Sequence, residues 1–183
     1  LGKMILAETR RLDIRTKVLD PSSEAPGRIA SNEFVQGSLT DYQTVMDFAK
    51  DCDVLTIEIE NVNIQALKDL QKAGVKVYPK PETLEIIKDK SIQKQFYADH
   101  EIPTAPFANF NSKDEFLETL DTQQDWELPF VWKAATGGYD GKGVSIIRSN
   151  EDIQNVADIP GLIEKLIPFE KELAVVVARS PSG

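Results

Sequence analysis

Residues 133–144 read KAATGGYDGKGV, a stretch that places four glycines within seven positions. The residues on either side, 129–134 and 144–148, have the composition of β-strands. Glycine allows positive φ angles and lets backbone N–H groups approach an anion closely. Since Lys133 and Lys142 add positive charge at the two ends, the stretch predicts a phosphate-binding hairpin loop between two strands.

Two common phosphate-binding motifs do not fit this stretch. A Walker loop places Lys-Ser or Lys-Thr before a helix, whereas a strand pattern follows Gly143. The dinucleotide fingerprint also requires a helix at that point. A purely structural hairpin is the alternative for the glycines alone, but the lysine on the preceding strand and the Tyr139-Asp140 pair inside the loop favour ligand binding.

The amino-terminal part of the chain alternates between helical and strand patterns. Helices are predicted over residues 2–12, 41–50 and 64–72, and strands over 15–19, 53–60 and 75–78. In the strand at 53–60, Leu55, Ile57 and Ile59 alternate with polar residues and are expected to share one face. Strands and helices joined by short connections predict a small parallel α/β domain.

The remaining chain carries further helix and strand signals. Pro81 suits the first turn of a helix predicted to run to about His100. Ser112 and Glu115 form a capping-box pattern that opens another helix. Strands are also predicted over residues 162–167 and 172–178.

Composition excludes several classes of function. The 183 residues carry a net charge of −9, which argues against binding a nucleic-acid backbone or an anionic membrane. Cys52 and His100 are the single cysteine and histidine, so neither a disulfide nor a zinc cluster is expected. No apolar run has the length of a membrane helix and no signal-peptide pattern is present, so a cytoplasmic location is predicted. The patterns at both ends predict a fragment of a longer protein, and the alternative is an intact small protein with frayed ends.

The loop and its surroundings resemble the ATP-grasp superfamily and, within it, the 5-(carboxyamino)imidazole ribonucleotide synthase family. The likeness extends over essentially all of the chain. It includes VLDP at 18–21, GSLTD at 37–41, EIENV at 58–62 and EKLIPFEKEL at 164–173. The resemblance implies an α/β fold. A Rossmann-like, parallel-sheet preATP-grasp domain at 1–79 would precede part of an ATP-grasp domain at 80–183, with an α+β lid subdomain at about 107–167.

The resemblance also implies an ATP site. Lys90 and Lys133 would bind the phosphates, where electrostatic stabilisation is the main catalytic requirement. The lid loop over the phosphates would consist of Gly138, Tyr139, Asp140, Gly141, Lys142, Gly143 and Val144. The strand that meets the adenine ring would consist of Glu164, Lys165, Leu166 and Ile167. Glu172 would accept hydrogen bonds from the ribose hydroxyls; from spacing alone, it would be a solvated charge at a strand edge.

A second substrate, aminoimidazole ribonucleotide, is implied in the same way. Its site would include Gly2, Glu58, Glu60, Tyr139 and Asp140. Asp140 would accept a hydrogen bond or a proton from the exocyclic amine, and it is the implied catalytic residue together with Lys142. Glu58 and Glu60 lie at the carboxyl end of a predicted strand, where open α/β sheets bind ligands. A merely polar strand face is the alternative for these two glutamates.

The implied activity is that of a carbon–nitrogen ligase of de novo purine biosynthesis. It would carboxylate 5-aminoimidazole ribonucleotide with bicarbonate, through carboxyphosphate, at the expense of ATP. Mg²⁺ would be required, with its ligands beyond Gly183, and the full-length enzyme would be a homodimer. The stretch 134–136 lacks an Arg that many members carry, and Val144 replaces a common Gln. The alternatives are another ATP-grasp ligase, such as glycinamide ribonucleotide transformylase or a biotin carboxylase-like enzyme, and a non-catalytic nucleotide-binding fragment.

Overall fold

The computed structural model describes residues 1–122, 126–138 and 143–180. The chain divides into two compact units, Leu1–Phe96 and Tyr97–Gly183. The helices are α1 (Gly2–Arg11), α2 (Tyr42–Ala49), α3 (Ile64–Lys72), α4 (Pro81–Lys88), α5 (Lys90–Asp99), α6 (Lys113–Thr122) and α7 (Asn150–Asn155). The strands are β1 (Lys17–Asp20), β2 (Glu33–Gln36), β3 (Val54–Thr56), β4 (Lys76–Tyr78), β5 (Phe107–Phe110), β6 (Phe130–Ala134), β7 (Val144–Ile147) and β8 (Gly161–Lys165).

The first unit contains two pairs of parallel strands, β1 with β2 and β3 with β4. The predicted parallel α/β character is therefore confirmed. Its buried core combines α2, α3 and β4 through residues such as Phe48, Leu67 and Val77. Asp41 caps α2 by accepting a 2.8 Å hydrogen bond from the Thr44 N–H. Gly74, with φ of 102°, closes α3 as its position after the helix predicts.

The strand predicted over residues 53–60 is shorter in the structure. β3 ends at Thr56, and Ile59 is exposed and does not continue the buried face of Leu55. The partner strand explains the early end: the Tyr78 carbonyl accepts a last hydrogen bond from the Ile57 N–H, and Pro79 has no N–H to donate to the ladder. Residues 57–63 therefore form a loop.

The single helix predicted from Pro81 to about His100 is also wrong. Asp89 has an extended conformation, with φ of −120° and ψ of 112°, and separates α4 from α5. Its carboxylate accepts hydrogen bonds from the backbone N–H groups of Ser91, at 2.8 Å, and Ile92, at 3.1 Å. An aspartate that binds N–H groups two and three residues ahead opens a new helix rather than continuing the old one.

The second unit is built around an antiparallel sheet in the order β5-β8-β6-β7. Aromatic side chains cover one face, where Phe116 of α6 packs against Phe110 and Phe130 with ring centroids 5.2 and 6.4 Å apart. Trp132, from the same face of β6, is buried in this cluster. The two strands predicted to flank the glycine-rich loop are confirmed as β6 and β7.

Two strand predictions near the carboxyl end need correction. The strand at 162–167 begins one residue earlier and stops at Lys165. The apolar run at 172–178 is not a strand in the structure: Val176 is 98% exposed, and within the described ranges no strand pairs with this run. Because strand formation requires a hydrogen-bonded neighbour, composition alone cannot make this segment a strand. No helix in the described part of the chain is long and apolar enough to cross a membrane.

Candidate functional site

The antiparallel sheet places Lys133 and Glu164 on the same face. In the register between β6 and β8, Lys133 lies opposite Leu162 and Val131 lies opposite Glu164. Since side chains alternate along a strand, these four residues share the face that is opposite to the aromatic cluster. Lys133 and Glu164 are thus diagonal neighbours, within reach of a long side chain.

The two charged side chains form an enclosed ion pair. The Lys133 Nζ contacts the Glu164 Oε1, and the side chains are only 25% and 10% exposed. Val131 and Leu162, which lie beside them, are buried. Water screens such a pair weakly, so the attraction is strong, but each charge is costly if the other is removed. Lys133 therefore presents a fixed ammonium group at the end of β6 that leads into the glycine-rich loop.

The base of the loop is closed by backbone hydrogen bonds. The Ala134 N–H donates to the Gly143 carbonyl at 2.8 Å. Gly137 and Gly143 have φ angles of 74° and 72°, a left-handed conformation that favours glycine. A Cβ on Gly143 would also lie 3.3 Å from the Gly138 Cα, so the two ends of the loop approach each other closely. Tyr139, Asp140, Gly141 and Lys142 lie outside the described residues.

Gly161 is a site residue that the sequence analysis missed. It begins β8, where a Cβ would come within 2.5 Å of the Lys133 carbonyl oxygen and within 2.9 Å of the Phe110 ring. The Ala135 N–H donates to the Pro160 carbonyl at 2.9 Å beside this contact. Only glycine lets β8 come this close to β6, so Gly161 sets the position of the Lys133 backbone. The Pro-Gly pair at 160–161 was the available signal.

The other residues predicted to bind nucleotide are spread more widely. Val144 lies opposite Lys133 on β7 and is partly exposed. Lys165 ends β8 on the face opposite to Glu164, and its N–H donates to the Pro106 carbonyl at 3.0 Å. Leu166 and Ile167 follow the strand with exposed side chains, and Glu172 is exposed outside any strand. The structure thus brings Lys133, Glu164 and Val144 to one face of the sheet. Strand geometry does not bring Lys165, Leu166, Ile167 or Glu172 to that face.

The first unit holds the remaining predicted residues. Glu58 and Glu60 lie in the exposed loop that follows β3. The backbone nitrogen of Leu1, next to Gly2, lies 3.5 Å from the Glu58 Oε1, so the start of α1 and this loop are adjacent. Lys90 is a half-buried residue at the start of α5.

Two residues that the sequence analysis did not select hold this loop in place. The Asn63 side-chain amide donates to the Thr40 carbonyl at 3.0 Å, and the Asn63 N–H donates to the Leu39 carbonyl at 2.9 Å. The Lys88 Nζ donates to the Val62 carbonyl at 3.0 Å. The acidic loop is therefore fixed to the segment at 37–41 and to the end of α4. Asn63 could have been identified from its position before an apolar helical pattern.

A metal site is not assembled by these residues. In the described ranges, no group of three or more His, Cys, Asp or Glu side chains is arranged to hold a metal ion. The described acids among the predicted site residues are Glu58, Glu60, Glu164 and Glu172, and they do not by themselves fit Mg²⁺.

Comparison with known protein families assigns both parts of the chain. Residues 1–88 match the family described as the ribonucleotide synthetase preATP-grasp domain. Residues 95–183 match the ATP-grasp domain family. The phosphoribosylaminoimidazole carboxylase of Candida glabrata is 38% identical over an alignment 190 residues long, gaps included. This alignment covers 100% of this chain and 33% of that protein.

Solved structures show the same relationship. The crystal structure of N5-carboxyaminoimidazole ribonucleotide synthetase from Thermotoga maritima aligns with a TM-score of 0.81 and 30% identity, covering 93% of this chain and 44% of that one. The N5-carboxyaminoimidazole synthase of Aspergillus clavatus, solved with ADP and 5-aminoimidazole ribonucleotide, aligns with a TM-score of 0.79 and 28% identity over 93% of this chain and 45% of that one. The chain spans about a third of the length of the carboxylases that it matches.

Proposed function

Because the chain belongs to the phosphoribosylaminoimidazole carboxylase and N5-carboxyaminoimidazole ribonucleotide synthase family of ATP-grasp proteins, we propose that the intact protein carboxylates 5-aminoimidazole ribonucleotide. ATP and bicarbonate would be the other substrates, and the product would be the carbamate of the exocyclic amine. The observation that carries the proposal is the enclosed Lys133 ammonium on the strand leading into the glycine-rich loop. Relatives described as binding ADP and this ribonucleotide support both ligands.

The nucleotide half of the mechanism depends on charge. Phosphoryl transfer requires little covalent chemistry from a protein and mainly needs positive groups held at the phosphates. Lys133 supplies such a group from a rigid strand, and we assign Lys90 the same role from the start of α5. Gly137 and Gly143, which both have left-handed φ angles, flank the centre of the loop, and we propose that backbone N–H groups of the loop bind the phosphates. We assign residues 107–167 to the lid, which would exclude water from carboxyphosphate.

The acceptor half of the mechanism depends on hydrogen-bond acceptors. Asp140 would accept from the exocyclic amine as it attacks carboxyphosphate, and Lys142 would stabilise the transferred group. Glu58 and Glu60, in the loop after β3, would bind the ribonucleotide, with Gly2 near its phosphate. The adjacency of the Leu1 nitrogen and the Glu58 carboxylate supports a common site for Gly2 and Glu58.

The remaining assignments come from the family. Mg²⁺ would neutralise the phosphates, bound by residues outside this chain. We also propose a homodimer that works in the cytoplasm.

The test is the acceptor dependence of ATP hydrolysis by the intact natural protein. We expect phosphate release to require both aminoimidazole ribonucleotide and bicarbonate. Stimulation by glycinamide ribonucleotide with formate, or by biotin with bicarbonate, would instead assign another ATP-grasp ligase. Nucleotide binding without turnover under any of these conditions would favour a binding protein. Unaltered ATP affinity in a Lys133→Ala protein would show that Lys133 does not bind the phosphates.

A further inference from the structure

A carboxylate in a phosphate-binding site needs a physical reason, because it repels the ligand. Glu164 is such a group: its side chain is 10% exposed and contacts the lysine proposed to bind the phosphates. Its strand, β8, lies between β5 and β6 and is hydrogen-bonded on both sides. β6, which carries Lys133, is central as well, so the two side chains differ in length and not in the support of their strands: the carboxylate is attached through two methylene groups and the ammonium through four.

We propose that Glu164 is a positioning residue for Lys133. Its carboxylate holds the ammonium above the sheet face while the site is empty and keeps it aimed at the phosphates when a nucleoside triphosphate binds. This inference rests on the proposed function and adds a role for the Glu164 side chain, whereas the family resemblance concerns the strand that meets adenine.

Two features of the geometry support positioning. First, the pair is diagonal, so the lysine side chain must extend along the face from its own partner Leu162 toward Glu164 to make the contact. Second, the residues next to Lys133 on this face, Val131, Val144 and Leu162, are apolar, so these three offer no alternative hydrogen-bond acceptor to the ammonium. Without Glu164, the long side chain would be free to take several rotamers, and ordering it would then reduce nucleotide affinity.

A double-mutant cycle in the intact natural protein tests this role. The four proteins are the wild type, Lys133→Met, Glu164→Gln and the double variant, and the measured quantities are the dissociation constants for ATP and, by competition, for adenosine. We expect Glu164→Gln to weaken ATP binding about tenfold, which corresponds to a typical coupling between contacting residues. The same change in the Lys133→Met background is not expected to weaken ATP binding, because the group it positions is gone and the carboxylate that it removes only repels the phosphates.

Adenosine separates positioning from a general structural role. Because it lacks phosphates, its affinity should change by less than about twofold in Glu164→Gln. Equal losses of ATP and adenosine affinity would overturn the proposal, as would equal effects of Glu164→Gln in both lysine backgrounds. The matched control is Glu85→Gln, which removes the carboxylate of the exposed Lys68–Glu85 pair and should leave both affinities unchanged. A similar loss in this control would also contradict the proposal.

Folding is checked independently by melting temperature. Each single variant leaves one enclosed charge without its ionic partner, so both single variants are expected to melt below the wild type. The double variant lacks both charges and should melt at a higher temperature than either single variant. A folded double variant keeps the comparison in the methionine background interpretable. If the wild type binds no ATP, both this inference and the proposed function fail. If it binds ATP and the cycle is additive, this inference alone fails.

Discussion

Two lysine–glutamate pairs, one in each compact unit, differ in their exposure to water. In the first unit, Lys68 and Glu85 form a 2.7 Å pair whose side chains are 30% and 45% exposed. In the second unit, Lys133 and Glu164 form a pair that is much less accessible to water. Exposed pairs typically contribute at most about 1 kcal/mol, whereas breaking an enclosed pair leaves a costly single charge. The difference predicts that removing one partner costs more stability in the second pair than in the first.

The units also differ in where strands place candidate ligand groups. In the first unit, Glu58 and Glu60 lie beyond the end of a parallel strand, in a loop fixed by Asn63. In the second unit, Lys133 and Glu164 lie within antiparallel strands. Groups on a hydrogen-bonded strand are held more precisely than groups on a loop. The strands that carry Lys133 and Glu164 should therefore tolerate less change in their support than the acidic loop does.

The largest expected effect comes from the aromatic core beneath the Lys133 face. Phe116 is completely buried between Phe110 and Phe130, so Phe116→Ala should lower the free energy of unfolding by about 3–5 kcal/mol. Both tryptophans, Trp126 and Trp132, belong to or pack against this core, so their fluorescence reports the second unit directly. The urea midpoint of that signal is the measurement.

The matched control is Phe169→Ala, which removes a phenylalanine that is 67% exposed. It should leave the fluorescence midpoint within about 0.5 kcal/mol of the wild type. If Phe116→Ala had no larger effect than Phe169→Ala, the sheet that carries Lys133 would not depend on its aromatic face, and the contrast between the units would be lost.

A smaller effect is expected where β8 approaches β6. In Gly161→Ala, the added methyl group must displace either the Lys133 carbonyl or the Phe110 ring, so we expect a loss of about 1–3 kcal/mol in unfolding free energy. ATP affinity should fall as well, since the Lys133 backbone moves. Gly27→Ala is the control because its Cβ would meet no atom closer than 3.4 Å. Equal stability and affinity in the two variants would show that the close approach is unimportant.

Local patterns in the sequence predicted local structure well. The cap at Asp41, the helix end at Gly74 and the two strands that flank the glycine-rich stretch each depend on a few adjacent residues, and the structure confirms all three. The break at Asp89 was missed because the apolar spacing continues through it. There, a side-chain hydrogen bond to the following backbone outweighs helical periodicity.

Features that need a distant partner were not predictable. The extent of β3 is set by Pro79, across the pairing with β4, and the exposed run at 172–178 has the composition of a strand without a pairing neighbour in the described chain. The contact between Lys133 and Glu164 depends on the register of two strands that are far apart in sequence. Sequence analysis selected both residues, but through the family resemblance and for separate roles.

In the first unit, loss of the cap on α3 should have a modest effect. Asn63 accepts a 2.9 Å hydrogen bond from the Ala66 N–H and also donates to the Thr40 carbonyl. Asn63→Ala should therefore lower the free energy of unfolding by about 1 kcal/mol. The measurement is the rate of hydrogen exchange of the α3 amides. Asn61→Ala, at an exposed position of the same loop, should leave this exchange unchanged. Identical exchange in the two variants would contradict the proposed anchoring of the acidic loop.

The smallest expected effect is a change in the acid sensitivity of the first unit. Hydrogen bonds from Gln65, at 3.0 Å, and Lys72, at 2.9 Å, together with one from Tyr42, lower the pKa of Asp69 from 3.8 to about 2. A lowered carboxyl pKa stabilises the fold above the unfolded-state value, and this stabilisation is lost as the pH falls from about 4 to about 2.

Asp69→Asn removes the titrating group, so its unfolding midpoint should depend less on pH than that of the wild type within this window. The measurement is the urea midpoint by circular dichroism at several pH values between 4 and 2, with Asp53→Asn, an exposed acid in the same unit, as the control. Parallel pH profiles for wild type and Asp69→Asn would show that the hydrogen bonds of Asp69 contribute nothing to the pH dependence of stability. That result would sharpen the contrast with the enclosed Lys133–Glu164 pair, because the surface charges of the first unit would then be without measurable effect on its fold.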